Sequence, residues 1–131
     1  MKKAVLALFL AVITMSWVAP AMAAAIHGKS YKVSATAYNS VRAQTNSNPT
    51  IAAWGDRLKP GMKAIAVSRD LLNRGFKRGT IVKISGLPGE YVVLDKMNKR
   101  WRNKIDIYMG QDVQAARNWG RRNVTITVVR S

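Results

Sequence analysis

The sequence predicts a mainly β protein, a small barrel of six short strands with one short helix before the last. Three observations lead there. Six short runs rich in β-branched and aromatic residues recur along the chain. Turns bearing Gly or Pro separate them. Beyond the N-terminal apolar run, only Gly110 to Trp119 reads as a full helix.

A leader pattern stands ahead of the strands. Lys2 and Lys3 precede an apolar run from Ala4 to Ala19, then Pro20 and the small-x-small triplet Ala21-Met22-Ala23. As a helix the run spans roughly 24 Å, short of the ~30 Å hydrocarbon core. Residues 1–23 are therefore read as a cleavable signal peptide, and the mature chain is expected in the periplasm or another extracytoplasmic space. No cysteine follows the run, so no lipid anchor is expected, and no second apolar run predicts an integral membrane segment. Residues 24–30 are read as a flexible stub and 31–131 as one domain, monomeric and large enough for a modest core.

Tyr31 to Tyr38 alternates small or apolar residues with polar ones and reads as the first strand. Asn39 to Asn48 is polar and loop-like, ended by Pro49. Lys63 to Val67 is the second strand, and Ser68 to Asn73 a helical turn capped by Ser68 or Asp70. Thr80 to Ile84, Glu90 to Asp95 and Lys104 to Met109 are the third, fourth and fifth strands. A basic loop, Lys96 to Asn103, separates the last two. The helix has Asp112 in its first turn and Gly120 at its end, and Val124 to Val129 is the sixth strand.

Charge narrows the partners. The chain has 22 Lys+Arg against 6 Asp+Glu, a formal +16, and the leader carries only two of those cations. Solubility alone needs a net charge of only ~2–8. Such a balance draws the protein to nucleic acid, anionic lipid or the carboxylate-bearing bacterial wall. Export argues against nucleic acid, and none is expected as a partner. Cysteine is absent and the single histidine, His27, sits in the stub. Disulfides, thiolate metal sites, a cysteine nucleophile and a histidine triad are thereby excluded. Any chemistry must use carboxylates, hydroxyls or backbone groups.

With six acids, each position matters. Asp56 and Glu90 stand at turn edges and read as solvated. Asp95 ends an otherwise apolar strand. Asp106 lies between Ile105 and Ile107, so alternation places it on one face with Lys104 and Tyr108, and the isoleucines on the other. The plain alternative is an exposed carboxylate paired with a nearby Lys or Arg.

The chain resembles the 3D (Asp-Asp-Asp) domain family of bacterial cell-wall proteins. The resemblance runs through Ala35-Thr36-Ala37-Tyr38, Ala53-Trp54-Gly55, Ile65-Ala66-Val67, Gly79-Thr80, then Asp95 followed eleven residues later by Asp106 within Ile105-Asp106-Ile107-Tyr108, and Trp119-Gly120. It implies a double-psi β-barrel with a groove across one side, similar to the catalytic core of one lytic transglycosylase class, to rare lipoprotein A-like wall enzymes and, more distantly, to expansins. The implied partner is the glycan strand of peptidoglycan, cut between N-acetylmuramic acid and N-acetylglucosamine to leave a 1,6-anhydro end.

On that resemblance Asp95 is the expected acid and base, Asp106 the supporting carboxylate on a neighbouring strand, and Tyr38 a hydroxyl that positions substrate. Two positions depart from the family pattern. Ser68 stands where the first aspartate is usual, with Asp70 two residues on as its substitute. The loop after Asp95, usually Gly-rich, is here bulky and basic. Trp101 and Arg100 in that loop, with Trp54, suit sugar stacking and charge pairing with stem-peptide carboxylates. Packing under the loop is the alternative for Trp101. Ser68 and Tyr108 complete the expected substrate-binding set. No metal or cofactor is expected, because three aspartates in so positive a field hold a divalent cation poorly. Two functions follow: a peptidoglycan-cleaving enzyme of the lytic transglycosylase type, or a non-catalytic, expansin-like module that binds wall glycan. A nucleic-acid binder using the basic loop is a third.

Overall fold

The computed structural model describes residues 26–40 and 50–131. The expected signal peptide, and most of the polar loop expected after the first strand, lie outside the described residues. Six strands form: β1 (Ser30–Tyr38), β2 (Ala64–Val67), β3 (Ile81–Ile84), β4 (Tyr91–Lys96), β5 (Lys104–Tyr108) and β6 (Arg122–Arg130). They close into a barrel in the order β1-β5-β2-β4-β3-β6. The pairs β1–β5 and β2–β4 are parallel and the other four antiparallel. Such interleaving forces crossed connections, in line with the double-psi class. Closure leaves no open strand edge.

Alternation builds the core. Val33 and Ala35 of β1, Ile65 and Val67 of β2, Ile105 and Ile107 of β5, and Val124, Ile126 and Val128 of β6 all point inward. The helix before β6 is shorter than predicted: α2 covers Val113–Trp119, and Asp112 is its cap, accepting from the Ala115 amide at 2.9 Å. Trp119 then folds onto the barrel and its indole Nε1 donates to Ala35 O at 3.2 Å. A second short helix, α1 (Arg69–Asn73), forms where the sequence predicts a helical turn. Leu71 of α1 and Phe76 beyond it are fully buried in the core cluster.

The stub expected to be flexible is docked from Ile26 onward. Ile26 is 6% exposed and lies so close to Gly75 that a Cβ there would meet its side chain at 3.0 Å. The Gly28 amide donates to Val128 O at 2.9 Å. Apolar burial and continued backbone pairing with β6 extend the first strand toward the N-terminus. Among the described residues no helix is long and apolar enough to cross a membrane.

Phe76 is the largest fully buried side chain, with Tyr31 packed edge-on at 5.3 Å between ring centroids. Phe76→Ala should therefore lower the unfolding free energy by about 3–5 kcal/mol, read from urea denaturation midpoints.

Candidate active site

The register of four strands sets one row of side chains across the outside of the barrel. Thr36 of β1 is opposite Asp106 of β5, Asp106 is opposite Ala66 of β2, and Ala66 is opposite Asp95 of β4. Cross-strand partners share a face, so both carboxylates point outward on either side of the Ala66 methyl. β4 and β5 are not neighbours, contrary to expectation. β2 lies between them, which separates the two aspartate backbones by roughly 9.5 Å.

Asp95 reaches this row through an irregularity. Val93 pairs with Ile65, but the next residue of β2, Ala66, pairs with Asp95, so Leu94 is an extra residue in β4. Tyr91 and Val93 face the core, while Val92 and Leu94 pack on the outer cluster. Strict alternation would then turn Asp95 inward. The bulge re-aims it onto the outer face beside Asp106.

The two carboxyl groups are both half-buried but differently served. Asp95 Oδ1 accepts from the Ala53 amide at 2.7 Å and the Lys96 amide at 2.9 Å, and Tyr38 donates its hydroxyl to Oδ2 at 3.5 Å. Among the described residues Asp106 accepts from the Thr36 hydroxyl alone, through Oδ1 at 3.0 Å. Burial pushes both above the usual carboxylate range. For Asp95 the two amides and the Tyr38 hydroxyl pull the other way. For Asp106 the Thr36 hydroxyl and the Lys104 charge pull down, while the negative charge of Asp95 pushes up. Three donors favour ionised Asp95 and one favours ionised Asp106. Of the two, Asp106 has the less hydrogen-bond support for its charge.

Neither carboxylate is in an ion pair among the described residues. Among the described residues the ion pairs are Asp56–Arg78 and Glu90–Arg130, so the acids expected to be solvated are the paired ones. Tyr38 keeps its proton: burial and the Asp95 and Asp106 charges drive its hydroxyl far above the usual tyrosine range. It remains a donor aimed at the row, as expected. Trp54 follows the residue whose amide holds Asp95, is half-buried, and carries Lys96 Nζ at 5.8 Å from its ring centroid. Trp101 is half-buried over Lys104, whose Nζ lies 3.6 Å from the ring centroid, with the exposed Arg100 guanidinium at 4.8 Å.

Three expected site residues stand apart from the row. Ser68 is fully buried, and its Oγ accepts from the Lys104 amide at 3.0 Å. Tyr108 is 3% exposed among Ala52, Leu58 and Ala64, and its hydroxyl is bonded to Ser40 Oγ at 2.9 Å. Asp70 grips the Asn103 amide with both oxygens, at 3.1 and 2.9 Å. Burial raises Asp70, but bonds from Ser68 and the Asn103 amide outweigh it and hold the carboxyl below the usual range. All three have spent their polar atoms on structure. Among the described residues no three metal-ligating side chains gather.

Thr36, Ala66, Lys104 and the Ala53 amide complete the site. Alternation along β1 puts Thr36 and Tyr38 on one face, which the sequence could have revealed. Nothing in the sequence marks the Ala53 amide. The hollow of about 290 Å³ lined by Lys32, Asn123, Val124 and Thr125 contains no carboxylate, so size alone does not mark the site. No protein-family model and no curated protein matches the chain.

Opposite pKa directions predict opposite pH dependences. Between the unfolded aspartate value of ~3.9 and its raised native value, Asp106 binds more protons when folded, so its contribution to stability falls as pH rises through that window. Asp106→Asn keeps an acceptor for Thr36 and should be more stable than wild type at pH 7, the gain vanishing on acidification in urea titrations. For Asp70 the lowered native value gives stability that is present above ~3.9 and lost as pH falls. Asp70→Asn should be less stable at pH 7, with the deficit closing in acid.

Proposed function

We propose that this protein is an exported peptidoglycan-active enzyme that cleaves murein glycan strands in the manner of a lytic transglycosylase. The observation that carries the reading is the pair of half-buried, unpaired carboxyl groups on one row, with unequal hydrogen-bond support. General acid–base work needs one group that holds a proton near neutrality beside one that does not. By the family resemblance Asp95 is the acid and Asp106 the support. The donor sets favour the reverse.

In this reading Asp106 gives its proton to the glycosidic oxygen as the bond to the anomeric carbon breaks. The resulting carboxylate takes the proton of the sugar's own C6 hydroxyl, and that oxygen closes on the anomeric carbon. The acid is regenerated, no water is consumed, and a 1,6-anhydro end remains. Asp95, held as an anion by two amides, stabilises the positive charge that develops on the sugar ring. The Tyr38 hydroxyl and the Trp54 and Trp101 rings flank the row as contacts for the glycan. The family resemblance and the leader pattern point to the same substrate and to an extracytoplasmic location.

The expansin-like alternative draws on one observation. The loop after Asp95 presents Arg100 and Trp101 where a flat glycine loop would let sugar approach the backbone closely. Digestion of purified murein separates the two readings. Wild type should release 1,6-anhydromuropeptides, with an optimum below neutral pH set by ionised Asp95 and protonated Asp106. Asp106→Asn should lower the rate by about 10²–10⁴-fold and Asp95→Asn by less. Murein binding with no anhydro product from the wild-type protein would reject cleavage and leave the binding module.

A further inference from the structure

Lys104, at 6% exposed, is the one side chain among the buried described residues that carries a charge at neutral pH. Its ammonium is in no ion pair among those residues, and the cover over it is the Trp101 ring at 3.6 Å. An ammonium has three donors to satisfy, and an aromatic face satisfies its charge without accepting those bonds in the way an oxygen does. A second cation shares the ring. Arg100 lies 4.8 Å from the same ring centroid. Burial first, then Arg121 and Arg100, push the Lys104 ammonium below its usual range, while Asp106 opposes them. Two cations thus share one ring, the more deeply buried of them in no ion pair among the described residues, which leaves room for an anion.

Its position says what that anion serves. Lys104 and Asp106 are alternate residues of β5 on the same face, roughly 7 Å apart along the strand. That is about the width of one sugar ring. Resting on the glycan-cleaving reading above, we propose that Lys104, Trp101 and Arg100 form a subsite for a carboxylate carried by the glycan strand, such as those of its stem peptides, next to the acid. The chain would thereby separate carboxylate-bearing murein from neutral N-acetylglucosamine polymers. Occupancy has a second effect. A carboxylate on Lys104 neutralises the cation that pulls Asp106 down, so the acid holds its proton more firmly when such a strand is bound. The charged and titratable groups around Asp106 in this step are Lys104 on β5, Asp95 on β4 and Tyr38 on β1.

The test is equilibrium binding by tryptophan fluorescence, in an Asp106→Asn background that prevents turnover. Three probes are compared: murein oligosaccharides with free stem carboxylates, the same oligosaccharides amidated, and the N-acetylglucosamine tetramer. The free-carboxylate probe should bind about 10–100-fold more tightly than the other two. Lys104→Met, which keeps the apolar stem, should bring that ratio close to one, and Arg100→Gln should reduce it by a smaller factor. If Lys104→Met fails to fold, Arg100→Gln and the probe series still decide the matter. Equal binding of all three probes, or a ratio untouched by both variants, overturns the subsite. A carboxylate preference without any anhydro product from wild type keeps the subsite and removes the chemistry. Cleavage without the preference does the opposite.

Discussion

Two carboxyl groups share one row of strands, half out of water, with an alanine methyl between them and no cation of the described residues paired to either. Desolvating two like charges so close together is costly, and the surrounding structure is arranged around that cost. It is met unequally. Asp95 receives two backbone amides, and one of them comes from a loop remote in sequence. That loop is tied at its base, where the Leu58 amide donates to Thr50 O at 2.6 Å and the Ala52 amide to Asp56 O at 2.8 Å. Arg78 then clamps Asp56 with two bonds at 2.7 and 2.5 Å. A surface ion pair of this kind contributes little to stability by itself. Its use here is positional, since it holds the loop that brings the Ala53 amide to Asp95. Asp106 has no such loop, and the difference between the two acids follows.

Several cations of this basic chain are held on aromatic faces and not by carboxylates. Lys63 lies over Tyr91, Arg74 over Tyr31, Lys96 over Trp54, and Arg122 over Trp119. Arg100 and Lys104 share Trp101. In a chain with so few acids, aromatic faces hold cationic side chains that carboxylates would hold in a balanced protein. The long-range field can then attract a polyanion while the row keeps its two acids free of ion pairs. The basic loop after Asp95, which by composition threatens to quench a general acid, has its nearest charges drawn onto an indole.

The strands were legible because each follows a period of two against one closed core, and the turns because Gly and Pro punctuate them. Each predicted strand lies within two residues of its observed bounds. The acid pair was legible in part. Asp106 sits in a run whose alternation places it outside without ambiguity. Asp95 does not, because its outward aim depends on a bulge that no residue type at Leu94 announces. Tyr108, placed by alternation, and Ser68, placed by the family resemblance, are both covered by other segments. Alternation says which face a side chain leaves from, and not whether another segment will cover it. Ser40 and the Ala52–Leu58 loop cover Tyr108, and β5 covers Ser68. The order of donors around each acid is tertiary information throughout, so the roles of Asp95 and Asp106 could not be told apart from spacing.

Asp70 illustrates how an acid can matter to a site without belonging to it. Its two oxygens hold the Asn103 amide, and Asn103 is the one non-glycine among the described residues with positive φ, at 50°. Asparagine tolerates that conformation better than most residues, and its Nδ2 is further tied to Lys32 O at 3.1 Å. One residue later the Lys104 amide is fixed by Ser68 Oγ, and β5 begins. The start of β5 is therefore pinned from both neighbours: Ser68 and Asp70 follow β2, and Lys32 belongs to β1. That pin determines which residue of β5 meets Ala66. A slip of one residue would bring Ile105 or Ile107 to the outer row and bury Asp106 in an apolar core. The aspartate that sequence resemblance places among the catalytic residues thus acts on register, three residues before Asp106, by holding the backbone turn that delivers Lys104 and Asp106 to the same face.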